Sequence, residues 1–374
     1  MASPQNAAST GGGSDGGGVR GLSSLVILRS LLGQVQAVVG VPLNPHDIFD
    51  LVVGTSTGGL IALMIGKLGM TVDECIEQYK RLSGVIFVDG RHLRGRMTLG
   101  LLKERYSEGV LCREIEELFR RKGRNPAETM ATSVKLLPET ERAHSAVVCR
   151  EYIDTPNGPP RLKPEAVLLC SHPCPGPRIR CTVCRAGRAT SAAPSYFPPQ
   201  MIQRDGQKDA RLIDGGLQFS NPSVAAWYHY RRRTHKGLEW EGSRLISLGT
   251  GRYDGESYHP PQRTRLKRLI HMPSAITLMR DATTDPNNTA THMEEIAGLS
   301  SVNIEYHRFS ATTGVCWIKM DDYKSLEFIE RRTDEYLRFP DVSREITECA
   351  ESIAQDYIEG LNRSAGELGN GEAT

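Results

Sequence analysis

The sequence lacks most of the features that would assign a function at a glance. Neither sign of charge dominates: 46 Lys and Arg against 44 Asp and Glu leave +2 over 374 residues. No global field therefore singles out nucleic acid or another strongly anionic partner. No stretch approaches the ~20 uncharged apolar residues that span a bilayer, so no transmembrane segment is expected and any membrane contact should be peripheral. No secretory signal precedes the nine cysteines, an odd number spread from Cys75 to Cys349. Reduced thiols and a cytoplasmic location are expected, which makes the sequons at Asn287 and Asn362 chance matches. There is no internal repeat. The lack with most consequence lies at the start, where residues 1–13 contain no β-type apolar run. A glycine-rich turn, Asp15-Gly16-Gly17-Gly18-Val19-Arg20-Gly21, nevertheless opens a helix there, and such a turn normally closes a strand.

What is present suffices for a large core. At 39% hydrophobic the chain can hold one large α/β domain or two smaller ones. Residues 1–14 read as a disordered N-terminal segment. Leu22, Leu25, Val26, Leu28, Leu32 and Val35 then give a helix with a wide apolar face. Phe49 and Leu51-Val52-Val53 read as a buried strand, Gly54-Thr55-Ser56-Thr57-Gly58 as a sharp turn, and 60–65 as a buried helix. Further helices are expected over 72–82, 98–121, 222–230, 266–279, 289–296, 324–332 and 344–361. Strands are expected over 145–149, 166–170, 211–213, 245–248 and 302–309, with a loop over 156–164. Alternating strands and helices argue for a mostly parallel sheet covered on both faces.

Strand, sharp turn and helix are the context in which G-x-S-x-G becomes chemistry. Gly54 and Gly58 supply the small residues the turn needs, Ser56 projects above the sheet, and the Thr57 amide at the helix N-terminus can face a developing oxyanion. The plainer reading is a glycine-rich turn with an incidental serine. Gly16, Gly17 and Gly18 offer consecutive amides without Cβ atoms, suited to the same oxyanion. Their alternative, a phosphate-binding loop, lacks the Lys-Ser/Thr of a P-loop. Arg20 can brace that loop by bonding its carbonyls, or simply be solvated. For the base, a Ser…Asp…His order needs a histidine after the acid. Those at 229, 235, 259, 271, 292 and 307 follow no clear strand-turn, and His235 sits among cations that oppose its charging. Asp214 ends a strand and precedes two glycines, a turn that exposes a carboxylate able to take the serine proton directly. An ordinary Asp-Gly turn is the alternative.

Five motifs then fall in a telling order. They are Asp15-Gly16-Gly17-Gly18-Val19-Arg20-Gly21; Gly54-Thr55-Ser56-Thr57-Gly58-Gly59; Ala189-Thr190-Ser191-Ala192-Ala193-Pro194 with Tyr196-Phe197; Asp214-Gly215-Gly216-Leu217 with Asn221-Pro222; and Ser247-Leu248-Gly249-Thr250-Gly251. Over residues 15–251 the chain resembles the patatin-like phospholipases. The resemblance implies an α/β fold, a three-layer α/β/α sandwich, with a serine lipid acyl hydrolase activity. Ser56 would be the nucleophile and Asp214 the base of a Ser–Asp dyad without catalytic histidine, and Gly16, Gly17 and Gly18 the oxyanion hole. It further implies no calcium requirement and no cofactor, and glycerophospholipids, galactolipids or acylglycerols as substrates, met peripherally at a membrane or droplet surface. Residues 252–363 would form a helical extension on the same domain and 364–374 a disordered tail.

One departure stands out: members of the family carry an apolar strand before the glycine loop, and here Ala-Ser-Thr-Gly-Gly-Gly-Ser takes its place. The first strand is therefore expected to be missing or replaced by a substitute. Losing a central strand would threaten a stability of about 5–15 kcal/mol. Two alternatives follow: a weak or inactive module that binds lipid or partner proteins, and a Ser–His–Asp carboxylesterase. Elsewhere, Cys170, Cys174, Cys181 and Cys184 with His172 suggest zinc, but the spacing is short for a ribbon, so no metal is expected. The basic runs 231–236 and 262–268 read as solvated or as membrane-facing. Trp227, Trp240 and Trp317 read as core.

Overall fold

The computed structural model describes residues 9–88, 106–130, 143–155, 158–172, 179, 181–194, 196–204, 206–234, 243–252, 286–299 and 302–371. Its centre is one nine-stranded sheet. In chain order the strands are β1 (Thr10–Ser14), β2 (Leu51–Thr55), β3 (His144–Thr155), β4 (Gly158–Leu162), β5 (Val167–Cys170), β6 (Gln200–Arg204), β7 (Gln207–Asp214), β8 (Ser243–Leu248) and β9 (Ile304–Phe309). Strands β3-β2-β1-β8-β9 form a parallel block, and β4, β5 and β7 pair antiparallel with β3. The helices are α1 (Gly21–Val39), α2 (Pro45–Ile48), α3 (Thr57–Gly66), α4 (Val72–Val88), α5 (Glu108–Arg121), α6 (Val183–Thr190), α7 (Ser223–Thr234), α8 (Pro286–Ala297), α9 (Leu326–Leu337) and α10 (Pro340–Gly371).

Alternation along the strands separates two buried layers. Val52 and Ile246 face the large core built on α1, α3, α4 and α9. Leu51 and Val53 face the opposite layer, with Ala225 and Ala226 of α7, and Leu245 meets Trp227 and Met293 there. The period of two in β2 and β8 thus puts one helical layer on each face, and the three-layer sandwich follows.

The expected gap at the start of the sheet is overturned. Residues 10–14 are a strand, not a disordered segment, and it lies centrally, in register with Leu51–Gly54 on one side and Arg244–Leu248 on the other. A central parallel strand needs backbone donors and acceptors on both edges, which glycine supplies as well as valine. The missing side-chain volume is filled by neighbours. A Cβ on Gly12 would lie 3.2 Å from the Phe49 ring, and one on Gly11 3.3 Å from Leu245 Cδ1. Asp50 fixes the entry, its Oδ2 accepting from the Thr10 amide at 2.8 Å and from Ser9 Oγ at 3.1 Å.

Other expectations also change. The 156–164 loop contains β4, hairpin partner of β3, and β6 joins the sheet without an apolar run to announce it. The strand expected over 302–309 forms as β9 and joins the sheet, so the region after 251 is more than a helical extension, and the tail is helical as far as Gly371. Among the described residues one helical stretch, Gly18–Val39, is after all long and apolar enough to cross a membrane by length and composition. Leu22, Leu25, Ile27, Leu28, Leu31 and Val35 are buried against protein, as the core helix of a layered fold requires. Trp227 is buried but Trp317 is 47% exposed. The 266–279 helix, Trp240, His235, Lys236 and the 262–268 basic run lie outside the described residues.

Candidate active site

Ser56 follows β2 and caps α3 with φ 55° and ψ −125°. It is the one non-glycine residue with positive φ among the described residues. An L-residue is held there against roughly 1–3 kcal/mol of strain only when its surroundings over-determine it. The surroundings here are tight. A Cβ on Gly54 would lie 2.0 Å from Gly58 O, and one on Gly58 2.3 Å from Ser14 O, so the turn closes only with glycine at both positions. The Ser56 amide donates to Thr190 Oγ1 at 2.9 Å, and that hydroxyl donates to Val148 O at 2.8 Å. Thr190 lies within the Ala-Thr-Ser-Ala-Ala-Pro motif, but no feature of the sequence assigned it this bracing.

Asp214 reaches Ser56 by an unexpected route. Its strand β7 runs antiparallel to β3, Asp214 pairing with Cys149, rather than ending a parallel strand. β7 therefore descends onto the carboxyl edge of the parallel block, where Thr55 registers with Val148. Ser56 Oγ donates directly to Asp214 Oδ2 at 2.5 Å, with no imidazole between them. The other carboxylate oxygen accepts from the Gly216 amide at 2.7 Å, and the Asp214 amide donates to Ala192 O at 3.1 Å. Asp214 is 4% exposed.

The glycine loop lies against the same serine: a Cβ on Gly16 would sit 3.1 Å from Ser56 Cβ. The Gly16 amide is committed to Ser220 O at 3.0 Å, and its carbonyl accepts from Thr250 Oγ1 at 3.0 Å. That leaves the amides of Gly17, Gly18 and Thr57 as candidate donors to an oxyanion. Arg20 braces the loop, donating from Nε to Gly17 O at 3.2 Å and from Nη1 to Cys316 O at 3.0 Å. The Tyr79 hydroxyl, its pKa pushed up by burial, donates to Gly18 O.

Behind the loop lies an ion pair that sequence reasoning missed. Arg308 of β9 donates to Asp15 Oδ1 at 2.9 Å, to Asp15 Oδ2 at 2.5 Å and to Ser247 Oγ at 2.8 Å. The exposures of the two side chains are 5% and 0%. The two groups pull in opposite directions: burial raises the Asp15 carboxyl against the opposing Arg308. Burial also works against the Arg308 charge, yet Asp15 outweighs it and holds the guanidinium above its ordinary value. Geometry decides for the charged pair, since both carboxylate oxygens accept from one planar fork.

The remaining candidates separate. Cys181 Sγ contacts Thr182 O at 3.3 Å and Cys184 Sγ contacts Cys112 O at 3.7 Å, whereas Cys170 lies with His172 and His229. Cys174 is outside the described residues. The cysteine–histidine grouping read from spacing therefore does not assemble as one set. His307 lies between Glu305 and Glu345.

Fold and site together define an α/β protein of elbow type, with a strained serine on a strand–turn–helix, hydrogen-bonded to a buried carboxylate beside a glycine loop. The family model for patatin-like phospholipase matches residues 14–227. Calcium-independent phospholipase A2-gamma of Mus musculus is 29% identical over 269 residues, 68% of this chain and 30% of that protein. Patatin-like protein 4 of Arabidopsis thaliana is 26% identical over 262 residues, 66% of this chain and 60% of that protein. Among solved structures, human GIVD cytosolic phospholipase A2 is similar at a TM-score of 0.35 and 10% identity, covering 93% of this chain and 60% of that one. The chain belongs to the patatin-like phospholipase family. It spans about a third of the length of the phospholipase A2-gamma relative it matches, 30%.

Proposed function

We propose that this chain is a serine lipid acyl hydrolase working through Ser56 and Asp214. The observation that carries the reading is the 2.5 Å hydrogen bond from Ser56 Oγ to Asp214 Oδ2, made by a serine in strained backbone. Ser56 Oγ attacks the ester carbonyl carbon as Asp214 takes the hydroxyl proton. The carbonyl oxygen becomes an oxyanion facing the amides of Gly17, Gly18 and Thr57. Asp214 then protonates the departing alcohol oxygen, leaving an acyl-Ser56 ester. Water attacks that ester, its proton passing to Asp214 and on to Ser56 Oγ, and the fatty acid leaves. Gly16 contributes the space that lets the loop approach Ser56, and Arg20 and Thr190 are positioning residues. The substrates are glycerophospholipids or related acyl lipids, met by a cytoplasmic protein at a membrane or droplet surface.

The alternative of an inactive binding module rested on a missing first strand, and β1 removes that premise. A Ser–His–Asp esterase finds no support in a direct serine–carboxylate contact. The test is labelling by a fluorophosphonate probe together with fatty-acid release from phosphatidylcholine vesicles. Ser56→Ala should abolish both, and Asp214→Asn should slow both by about 10²–10⁴-fold, the usual worth of a general base. Activity retained in Asp214→Asn but lost on substitution of a histidine would refute the dyad.

A further inference from the structure

Three buried donor atoms converge away from Ser56, toward the amino ends of β2 and β3. Cys170 ends β5 and registers with Ala146 of β3. His172 follows two residues later, and His229 reaches them from α7. Their ligand atoms all lie within 4.8 Å of one another. The two Nε2 atoms of His172 and His229 are 2.9 Å apart, and Cys170 Sγ is 3.7 Å from His229 Nε2. Exposures are 7%, 2% and 8% for Cys170, His172 and His229. The His144 ring packs on His172 at 4.7 Å between centroids, backing the cluster from the start of β3.

We propose that Cys170, His172 and His229 form a zinc site, with water in the fourth position. A tetrahedral ion with Zn–N of about 2.0–2.1 Å and Zn–S of about 2.3 Å sets N–N edges near 3.3 Å and N–S edges near 3.6 Å. The two edges that meet at His229, 2.9 and 3.7 Å, differ from these by less than about half an ångström, and the third, from Cys170 to His172, lies within 4.8 Å and would close by rotation of the side chains. One thiolate and two imidazoles form the borderline-soft donor set that selects zinc over magnesium or calcium. A divalent cation between them would take one ligand atom from each of the three side chains. The set differs from the cysteine grouping read in the sequence and from the expectation of no metal. It joins residues 57 apart in the chain, His172 and His229. Its consequence is architectural: the ion would tie α7, which follows the Asp214 turn, to β5 on the sheet.

The test uses the full chain, expressed with zinc and dialysed against metal-free buffer. Elemental analysis should find about one zinc ion per chain. Cys170→Ala and His229→Ala should each lower retained zinc at least tenfold, while Cys181→Ala and Cys184→Ala keep it. Should the site variants not fold, the wild type answers alone: Co2+ exchanged into it should give a thiolate charge-transfer band and the intense visible bands of a four-coordinate centre. Wild type that retains no zinc, site variants that keep it, or a Co2+ form without the thiolate band would overturn the proposal.

Discussion

Arg308→Met tests whether the last parallel strand holds the glycine loop in place. The substitution removes three hydrogen bonds, two to Asp15 and one to Ser247, and leaves a carboxylate with no exposure without its counter-charge. Removing one partner of such a buried pair costs about 3–5 kcal/mol, a fifth or more of a typical total of about 5–15 kcal/mol. The penalty comes from the stranded charge rather than from the worth of the pair, so Asp15→Asn with Arg308→Met should cost less than the two single changes summed, by about 2 kcal/mol or more. Arg308→Lys should recover only part, because an ammonium cannot fork across both carboxylate oxygens. Urea melts of wild type, both single variants and the double variant give the cycle. Fluorophosphonate labelling well below the unfolding midpoint reports on the loop, and Arg308→Met should label more slowly. An additive cycle, or a loss under about 1 kcal/mol as at an exposed pair, would refute the reasoning.

Two further outcomes can be checked by thermal melts. Gly12→Val should destabilise although valine is the better strand former, because its Cβ would meet the Phe49 ring at 3.2 Å. Overpacking of about 1–3 kcal/mol exceeds a β-propensity gain of about 1 kcal/mol, so a raised Tm would contradict the packing around β1. Burial works against the His307 charge, but hydrogen bonds with Cys349, Glu305 and Glu345 outweigh it and raise its pKa from 6.5 to about 11. The folded chain then holds a proton that the unfolded chain has released, so this stabilisation is complete below about pH 6.5 and lost as pH climbs toward 11. Wild-type Tm should fall more steeply than that of His307→Gln between about pH 7 and 10, and parallel slopes would contradict the assignment.

How far the sequence could be read depended on the distance over which each feature is encoded. The Ser56 elbow is written within five residues, because tight approach at Gly54 and Gly58 is a local demand, and Asp214 announced itself by its Asp-Gly-Gly turn. The direction of β7 was not legible, since an isolated strand does not state whether its neighbour is parallel. β1 was missed because hydrophobic patterning detects strands by what they bury, and this one buries its own backbone while Phe49 and Leu245 supply the volume. Arg308 and Asp15 are 293 residues apart, and nothing in the local sequence of either names the other. The histidine–cysteine cluster was half visible: Cys170 and His172 stand two apart in sequence, but His229 arrives only through the packing of α7.

A strand built from three glycines has an unusual mechanical property: nothing on it tells it where to stop. Side chains normally index a strand against its neighbours, and glycine-rich strands are prone to slip. Here the indexing falls to the two ends, where Asp50 grips the Thr10 amide and Arg308 grips Asp15. A slip of one residue would carry the loop about 3.3 Å along the sheet, farther than any hydrogen bond tolerates. Two of the anchors that align the glycine amides with the serine thus lie at the ends of β1.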